Sequence, residues 1–377
     1  MGKISTVHRE DGKTCCKAAV RTMFSTSPRP YCLILFSIFA TNTVSAIQKT
    51  HSFVRFVDEA DGEIRRGAFV GGQKARLLQD FPDGNTAVTN FGPWAVSNEE
   101  RTIRKLLAPI DQPPAIYAIG LNYWGHINAT NLTAPENPSL FFKNTMAFNI
   151  PFGDIIIPPI SSKPDWEGEL GLVIGPKDCL DVVSEDAVEQ CVLGYTLCHD
   201  VSARCYQGYA DDDPDTGDHC PGNGGQFSWS KSFDTHAPLG PSLIAPSALA
   251  SIDGKGLHLT TKVNGIQMQN ETTSSLIFGV RSILSFLSQG MTLPAGSVIC
   301  TGTPDGVGAT MDPPQFLQDG DEVEINIPEI GSLVNNIVRP TQEEYSKRKQ
   351  AARFTVSKDF GSLEQFVPVS KIVDQRD

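Results

Sequence analysis

A chain of 377 residues with 40% hydrophobic content carries enough apolar material for one large globular domain or two smaller ones. Its formal net charge of −12, with no basic run carrying interleaved aromatics, argues against a nucleic-acid or anionic-membrane surface. The nine cysteines form no C-x-x-C pair, so zinc is not expected; Cys191, Cys198 and Cys205 recur every seventh residue but straddle a strand and a loop, and read as scattered core thiols.

Residues 1–46 read as a targeting or signal-like segment. Tyr31 to Ala46 holds an apolar stretch of about nine residues behind Arg29 and ends in the small-x-small run Val44-Ser45-Ala46, with Met23 as an alternative start. Secretory entry is the expectation. The alternatives are a cytoplasmic protein or a mitochondrial presequence, which the basic Lys3, Arg9, Lys13, Lys17, Arg21 and Arg29 would suit. The apolar stretch is too short for a stable membrane span. Three N-x-S/T sequons stand at Asn128, Asn131 and Asn270.

Residues 47–110 read as a small β-rich unit: SFVRFVDEADGEIRRGAFVGG gives strand, Asp-Gly turn and strand, and Asn98 to Leu107 is expected to be helical. A Pro-rich hinge, DQPPAIYAIG, opens a main domain over 111–340. Its short apolar runs are bounded by Gly and Pro, as in SLFFK, ELGLVIG, CVLGYTLCHD, GPSLIAP, GSVICTGTP and DEVEINIPEIG, with helices expected only near Ser184–Val192 and Ser275–Ser288. This pattern predicts an α+β, β-rich architecture, a mixed β-sandwich, roll or barrel, not a doubly wound sheet. Residues 341–377 form a charged C-terminal tail.

Within DWEGELGLVIG, Glu167 and Glu169 are two residues apart and so share one face of a strand, and Asp200 ends a second apolar run, GYTLCHD. Three converging carboxylates suit a hard cation, Mg²⁺ or Mn²⁺. They fill about half of an octahedral shell and leave room for water and a chelating substrate, as a catalytic site requires. The aspartate-rich insert YADDDPDTGDHCPGNGGQ has its glycine one position late for a calcium loop and is interrupted by Pro214, so it reads as a solvated flap.

Eight ordered motifs between about Ala115 and Val338 then carry a family resemblance. The succession YAIGLNYWGH, PSLFFK, DWEGELGLVIG, GYTLCHDVSARCYQ, WSKSFDTHAPLGP, KVNGIQMQNETTSSLIF, ICTGTPDGVGA and DGDEVEINIPEIGSLVN resembles the fumarylacetoacetate hydrolase superfamily, in its domain-containing branch of acylpyruvate hydrolases, oxaloacetate decarboxylases and oxaloacetate tautomerases. The resemblance implies a mixed β-sandwich roll, Mg²⁺ or Mn²⁺ on Glu167, Glu169 and Asp200, a small 2-oxo acid as substrate, and a homodimer. It places Arg204, Gln207 and Thr303 on substrate-contacting positions, Thr303 with its hydroxyl on the substrate carboxylate. Lys231 falls on the active-site lysine position, where an ammonium is also expected physically beside ligands that carry more charge than the cation.

His126 is the general base implied by the same resemblance, on a loop that closes as a lid in relatives. Many relatives place a glutamate three residues later to orient the imidazole; this chain has Ala129, and Glu324 is the candidate substitute, with Glu136 the weaker one. The leading expectation is metal-dependent hydrolysis of a C–C bond in a 1,3-dioxo acid. The alternatives are tautomerisation or decarboxylation of an oxaloacetate-type acid through the same enolate, and a decayed relative that only binds metal.

Overall fold

The computed structural model describes residues 48–130, 132–209 and 224–347. The leader 1–46, the aspartate-rich insert, Asn131 and the tail beyond residue 347 lie outside or mostly outside those residues. Among the described residues no helix is long and apolar enough to cross a membrane.

Two sheets make the body. The larger is mixed, and at its centre the strand Gly168–Ile174 runs antiparallel to Val192–His199 on one side and to Val298–Cys300 on the other. All seven residues of that strand are buried, so it reads as a continuous apolar run and not as an alternation. The second sheet has five strands in the order Ile266–Thr272, His258–Val263, Glu322–Ile327, Gly331–Val338 and Ile155–Ile156. Leu170, Leu172 and Ile174 of the first sheet pack with Leu259, Ile325 and Leu333 of the second, giving a sandwich core. This is the β-rich sandwich roll expected.

The N-terminal strands extend the larger sheet. Ser52–Asp58 pairs with Ala237–Ile244, through Val54 opposite Ser242, and also with Ile64–Gly71 and Trp94–Leu107. With Lys74–Leu78 between the last two, four strands close into a ring around Val54, Phe56, Ala75, Leu77, Ile103 and Leu106. Residues 98–107, expected to be helical, belong to the 14-residue strand Trp94–Leu107. Its charged run Asn98-Glu-Glu-Arg favours a helix locally, but pairing on both sides and burial of Ile103 and Leu106 in the ring override that propensity.

The thiol expectation is corrected as well. Cys179 bridges Cys191, Cys198 bridges Cys300, and Cys205 is also disulfide-bonded. The second bridge joins the two strands that flank Gly168–Ile174. Gly171 lies between them, where a Cβ would come within 3.4 Å of that of Cys198.

Antiparallel pairing positions the site. Because Gly168 sits opposite His199 and Gly171 opposite Cys300, the start of the central strand lies beside the ends of both neighbours. Residues 167–169, Asp200 and the loop 301–306 therefore meet at one edge. Ile116–Gly120 runs parallel to Val298–Cys300 and delivers the short helix Trp124–Thr130 there too.

Candidate active site

Glu167, Glu169 and Asp200 converge, with ligand oxygens all within 4.8 Å of one another and all three residues buried. The Asp200 N–H donates to the Glu167 carbonyl at 2.9 Å, which locks the two chain segments together. Gly168 between the glutamates has no room for a side chain: a Cβ there would lie 2.2 Å from Thr261 Oγ1.

Cations crowd this cluster. Lys231 Nζ donates to Glu167 Oε2 at 2.6 Å and to Asp200 Oδ2 at 2.7 Å, and it lies 5.0 Å from the centre of the Phe141 ring. Arg204 donates through Nη2 to Glu167 Oε1 at 2.7 Å, through Nε to Asp165 Oδ2 at 2.8 Å and through Nη1 to Gln207 Oε1 at 2.7 Å. Gln207 in turn donates to Ser230 Oγ at 2.7 Å, next to Lys231. Burial pushes the Glu167 carboxyl up, but Lys231 and Arg204 outweigh it and hold the group below the usual carboxylate range. Glu169 goes the other way. Burial, reinforced by Asp200 and Glu167, raises its carboxyl well above that range, although Glu169 Oε2 accepts from the Gly302 N–H at 2.7 Å.

Three contributors were not found in the sequence. Lys143 is fully buried and donates to Asp200 Oδ1 at 2.5 Å. Its only sequence signal is a lysine closing the apolar run SLFFK. Asp165 anchors Arg204 and accepts from the N–H groups of Gly308, Ala309 and Trp166; it stands two residues before Glu167, so the same i, i+2 spacing that revealed the glutamates could have revealed it. Gln269 touches Thr303, and no sequence feature marks it.

The remaining expected residues divide. Thr303 is buried beside the triad strand, its hydroxyl donating to the Gly168 carbonyl at 3.1 Å. His126 is buried on its short helix, facing the charges of Glu167, Arg204, Lys231 and Asp305; burial, ahead of those charges, pulls its imidazole down to about 4. The ring is therefore neutral at neutral pH, and among the described residues its buried Nδ1 has no hydrogen-bond partner. Glu324 is the correction: it belongs to the second sheet, where it pairs with Lys262 at 3.3 Å and accepts from Ser332 at 3.1 Å, and it does not join His126. The alternation of DEVEINI explains this, since it sends Val323, Ile325 and Ile327 to the core and leaves Glu324 on the half-exposed face.

These residues fit a divalent cation. Four buried carboxylates (Asp165, Glu167, Glu169, Asp200) stand against three buried cations (Lys143, Arg204, Lys231), so a divalent ion turns a surplus negative charge into a surplus positive one. A cation there would offset the repulsion from Asp200 and Glu167 that, after burial, raises the Glu169 carboxyl. An oxygen-only ligand set suits Mg²⁺ or Mn²⁺ better than zinc.

The family model "Fumarylacetoacetate (FAA) hydrolase C-terminal" matches residues 115–338. The mitochondrial oxaloacetate tautomerase FAHD2A of Bos taurus is 38% identical over 232 residues, covering 62% of this chain and 69% of that protein. The Xenopus laevis mitochondrial oxaloacetate tautomerase fahd2 is 39% identical over 266 residues, covering 70% and 78% respectively. Among solved structures, a 2-hydroxyhepta-2,4-diene-1,7-dioate isomerase from Mycobacterium marinum superposes with a TM-score of 0.60 at 31% identity, over 78% of this chain and all of that one. The fumarylacetoacetate hydrolase of Exiguobacterium antarcticum also gives 0.60 at 31% identity. The buried carboxylate triad, its attendant lysines and arginine, and a match over most of the sandwich place this chain in the fumarylacetoacetate hydrolase family.

Proposed function

We infer that this enzyme-family member interconverts the keto and enol forms of an oxaloacetate-type 2-oxo acid, with Mg²⁺ or Mn²⁺ held by Glu167, Glu169 and Asp200. The observation that carries the reading is His126: a buried, neutral imidazole placed among the site charges, with no carboxylate joined to its Nδ1. Such a ring can take and return a proton. Tautomerisation asks this ring only to carry one proton from C3 and return it to the same substrate, whereas hydrolysis also asks it to hold and aim a water, for which its Nδ1 has no orienting carboxylate; hydrolysis, the leading expectation from sequence, therefore has less support. The names of the tautomerase and isomerase relatives support the same choice.

When bound, the divalent ion supplies Lewis-acid charge beside the carboxylate and 2-oxo oxygens of the acid, which makes the C3 hydrogens more acidic. The protein does the rest. Thr303 and Arg204 hold the acid, the Thr303 hydroxyl on its carboxylate. His126 takes a C3 proton, so that the C3–H bond breaks and its electron pair forms the C2–C3 double bond. Lys231 stabilises the negative charge that reaches the 2-oxo oxygen in this buried site, and His126 returns its proton to that oxygen to give the enol. No atom is gained or lost.

Oxaloacetate given to Mg²⁺-loaded protein tests the reading through its enol absorbance and its products. Accelerated loss of enol with total oxaloacetate conserved is expected; release of pyruvate and carbon dioxide, or activity confined to acylpyruvate cleavage, overturns it.

On location, the mitochondrial relatives support a presequence in residues 1–30, while the disulfides favour passage through an oxidising compartment. A fluorescent fusion of residues 1–46 should mark mitochondria, and labelling of the secretory pathway overturns that assignment. A homodimer is the proposed assembly. It is supported by exposed Phe142, Phe227 and Trp229 on two segments tied by the Phe142 N–H to Ser228 Oγ bond. Light scattering should give twice the mass of one chain, and a monomer counts against it.

A further inference from the structure

The outer strand of the second sheet, Ile266–Thr272, has one fully buried residue, and that residue is polar: Gln269, 1% exposed between exposed or half-buried neighbours. A buried primary amide needs partners for its oxygen and its nitrogen, and the identity of those partners defines what it does. Gln269 Oε1 accepts from the Gly168 N–H at 2.9 Å, while Nε2 donates to Thr303 Oγ1 at 2.7 Å and to the Pro304 carbonyl at 3.0 Å. The orientation of the amide is forced, because a backbone N–H can only donate and a carbonyl can only accept. Thr303 closes the circuit by donating to the Gly168 carbonyl at 3.1 Å. One side chain from the second sheet thus holds both the residue between two triad glutamates and the hydroxyl of the opposite loop.

We propose that Gln269 is the positioning residue of the substrate-carboxylate subsite, fixing the Thr303 hydroxyl as a donor; this rests on the 2-oxo acid reading above. A hydroxyl has one proton to give. With the Gln269 N–H directed at its oxygen, that proton turns either to the Gly168 carbonyl or to an arriving carboxylate. The charge-assisted bond to the carboxylate is the stronger of the two, so the ligand draws the proton off the backbone carbonyl. A glutamate at 269 would reverse the polarity. Its carboxylate would still accept from Gly168, but it would also accept the Thr303 proton and repel the acid. The absence of room for a side chain at Gly168 keeps the circuit tight: a Cβ there would lie 3.3 Å from Gln269 Oε1.

The test uses Gln269→Glu and Gln269→Leu in the full chain, with melting temperature, calorimetric Mn²⁺ affinity, and pyruvate affinity of the Mn²⁺-loaded protein as readouts. The expected result is Mn²⁺ affinity within about 3-fold of wild type and pyruvate bound at least about 10-fold more weakly by Gln269→Glu, the scale of one charge-assisted hydrogen bond. Thr303→Val should add little in the Gln269→Glu background, because the two residues act as a unit. Native pyruvate affinity in both Gln269 variants overturns the proposal, as does an additive effect of Thr303→Val. Loss of fold or of Mn²⁺ affinity in both variants would make Gln269 a structural residue and also overturn it. Failure of wild-type protein to bind pyruvate is a separate outcome, which removes the 2-oxo acid reading and this proposal with it.

Discussion

Glu169→Gln should fold normally yet lose divalent-cation binding and at least about 100-fold in turnover, the scale on which a single electrostatic stabiliser acts in a closed site. The amide can keep the bond from the Gly302 N–H, and among the described residues Glu169 is the triad member to which no lysine or arginine donates, so little of the scaffold depends on its charge. Glu167→Ala should differ in kind. It removes one of the partners of both Lys231 and Arg204, and breaking a buried charge pair costs about 3–5 kcal/mol. Calorimetric metal titration together with chemical unfolding separates the two. Metal binding retained by Glu169→Gln would count against the triad as the metal site.

The second large effect is expected at Lys231. Lys231→Met removes the ammonium that touches Glu167 and Asp200 but leaves Lys143 on Asp200. Metal binding should survive, because the lost cation competes for the same carboxylate oxygens. Turnover should fall by about 100-fold to 1,000-fold as the developing enolate loses its donor. Steady-state rates at saturating Mg²⁺ check this, and unchanged turnover would make Lys231 peripheral.

The triad was legible because two glutamates at strand spacing and an aspartate ending an apolar run leave few ways to converge. Register supplied what spacing could not: Gly168 opposite His199 brings Asp200 to Glu167. Lys231, Arg204 and Gln207 followed from the family resemblance and lie in contact with one another or with the triad. Lys143 and Gln269 escaped because each is delivered by a strand whose own sequence carries no sign of its destination. Glu324 was misassigned because motif position said nothing about which face of DEVEINI it would take. The disulfide between Cys198 and Cys300 spans 102 residues, a pairing that exists only once the strands flanking the central one are known. In the 98–107 segment local helix propensity was real but lost to a ring of strands closed by distant residues.

The most direct measurement of the central claim is hydrogen exchange at C3 of oxaloacetate in deuterium oxide, followed by proton NMR with Mg²⁺-loaded wild type, Glu169→Gln and Lys231→Met. The account predicts C3 exchange above the uncatalysed rate in wild type, with the four-carbon skeleton intact, and its loss in both variants. Equal exchange in all three proteins, or carbon–carbon cleavage by wild type without C3 exchange, would contradict it.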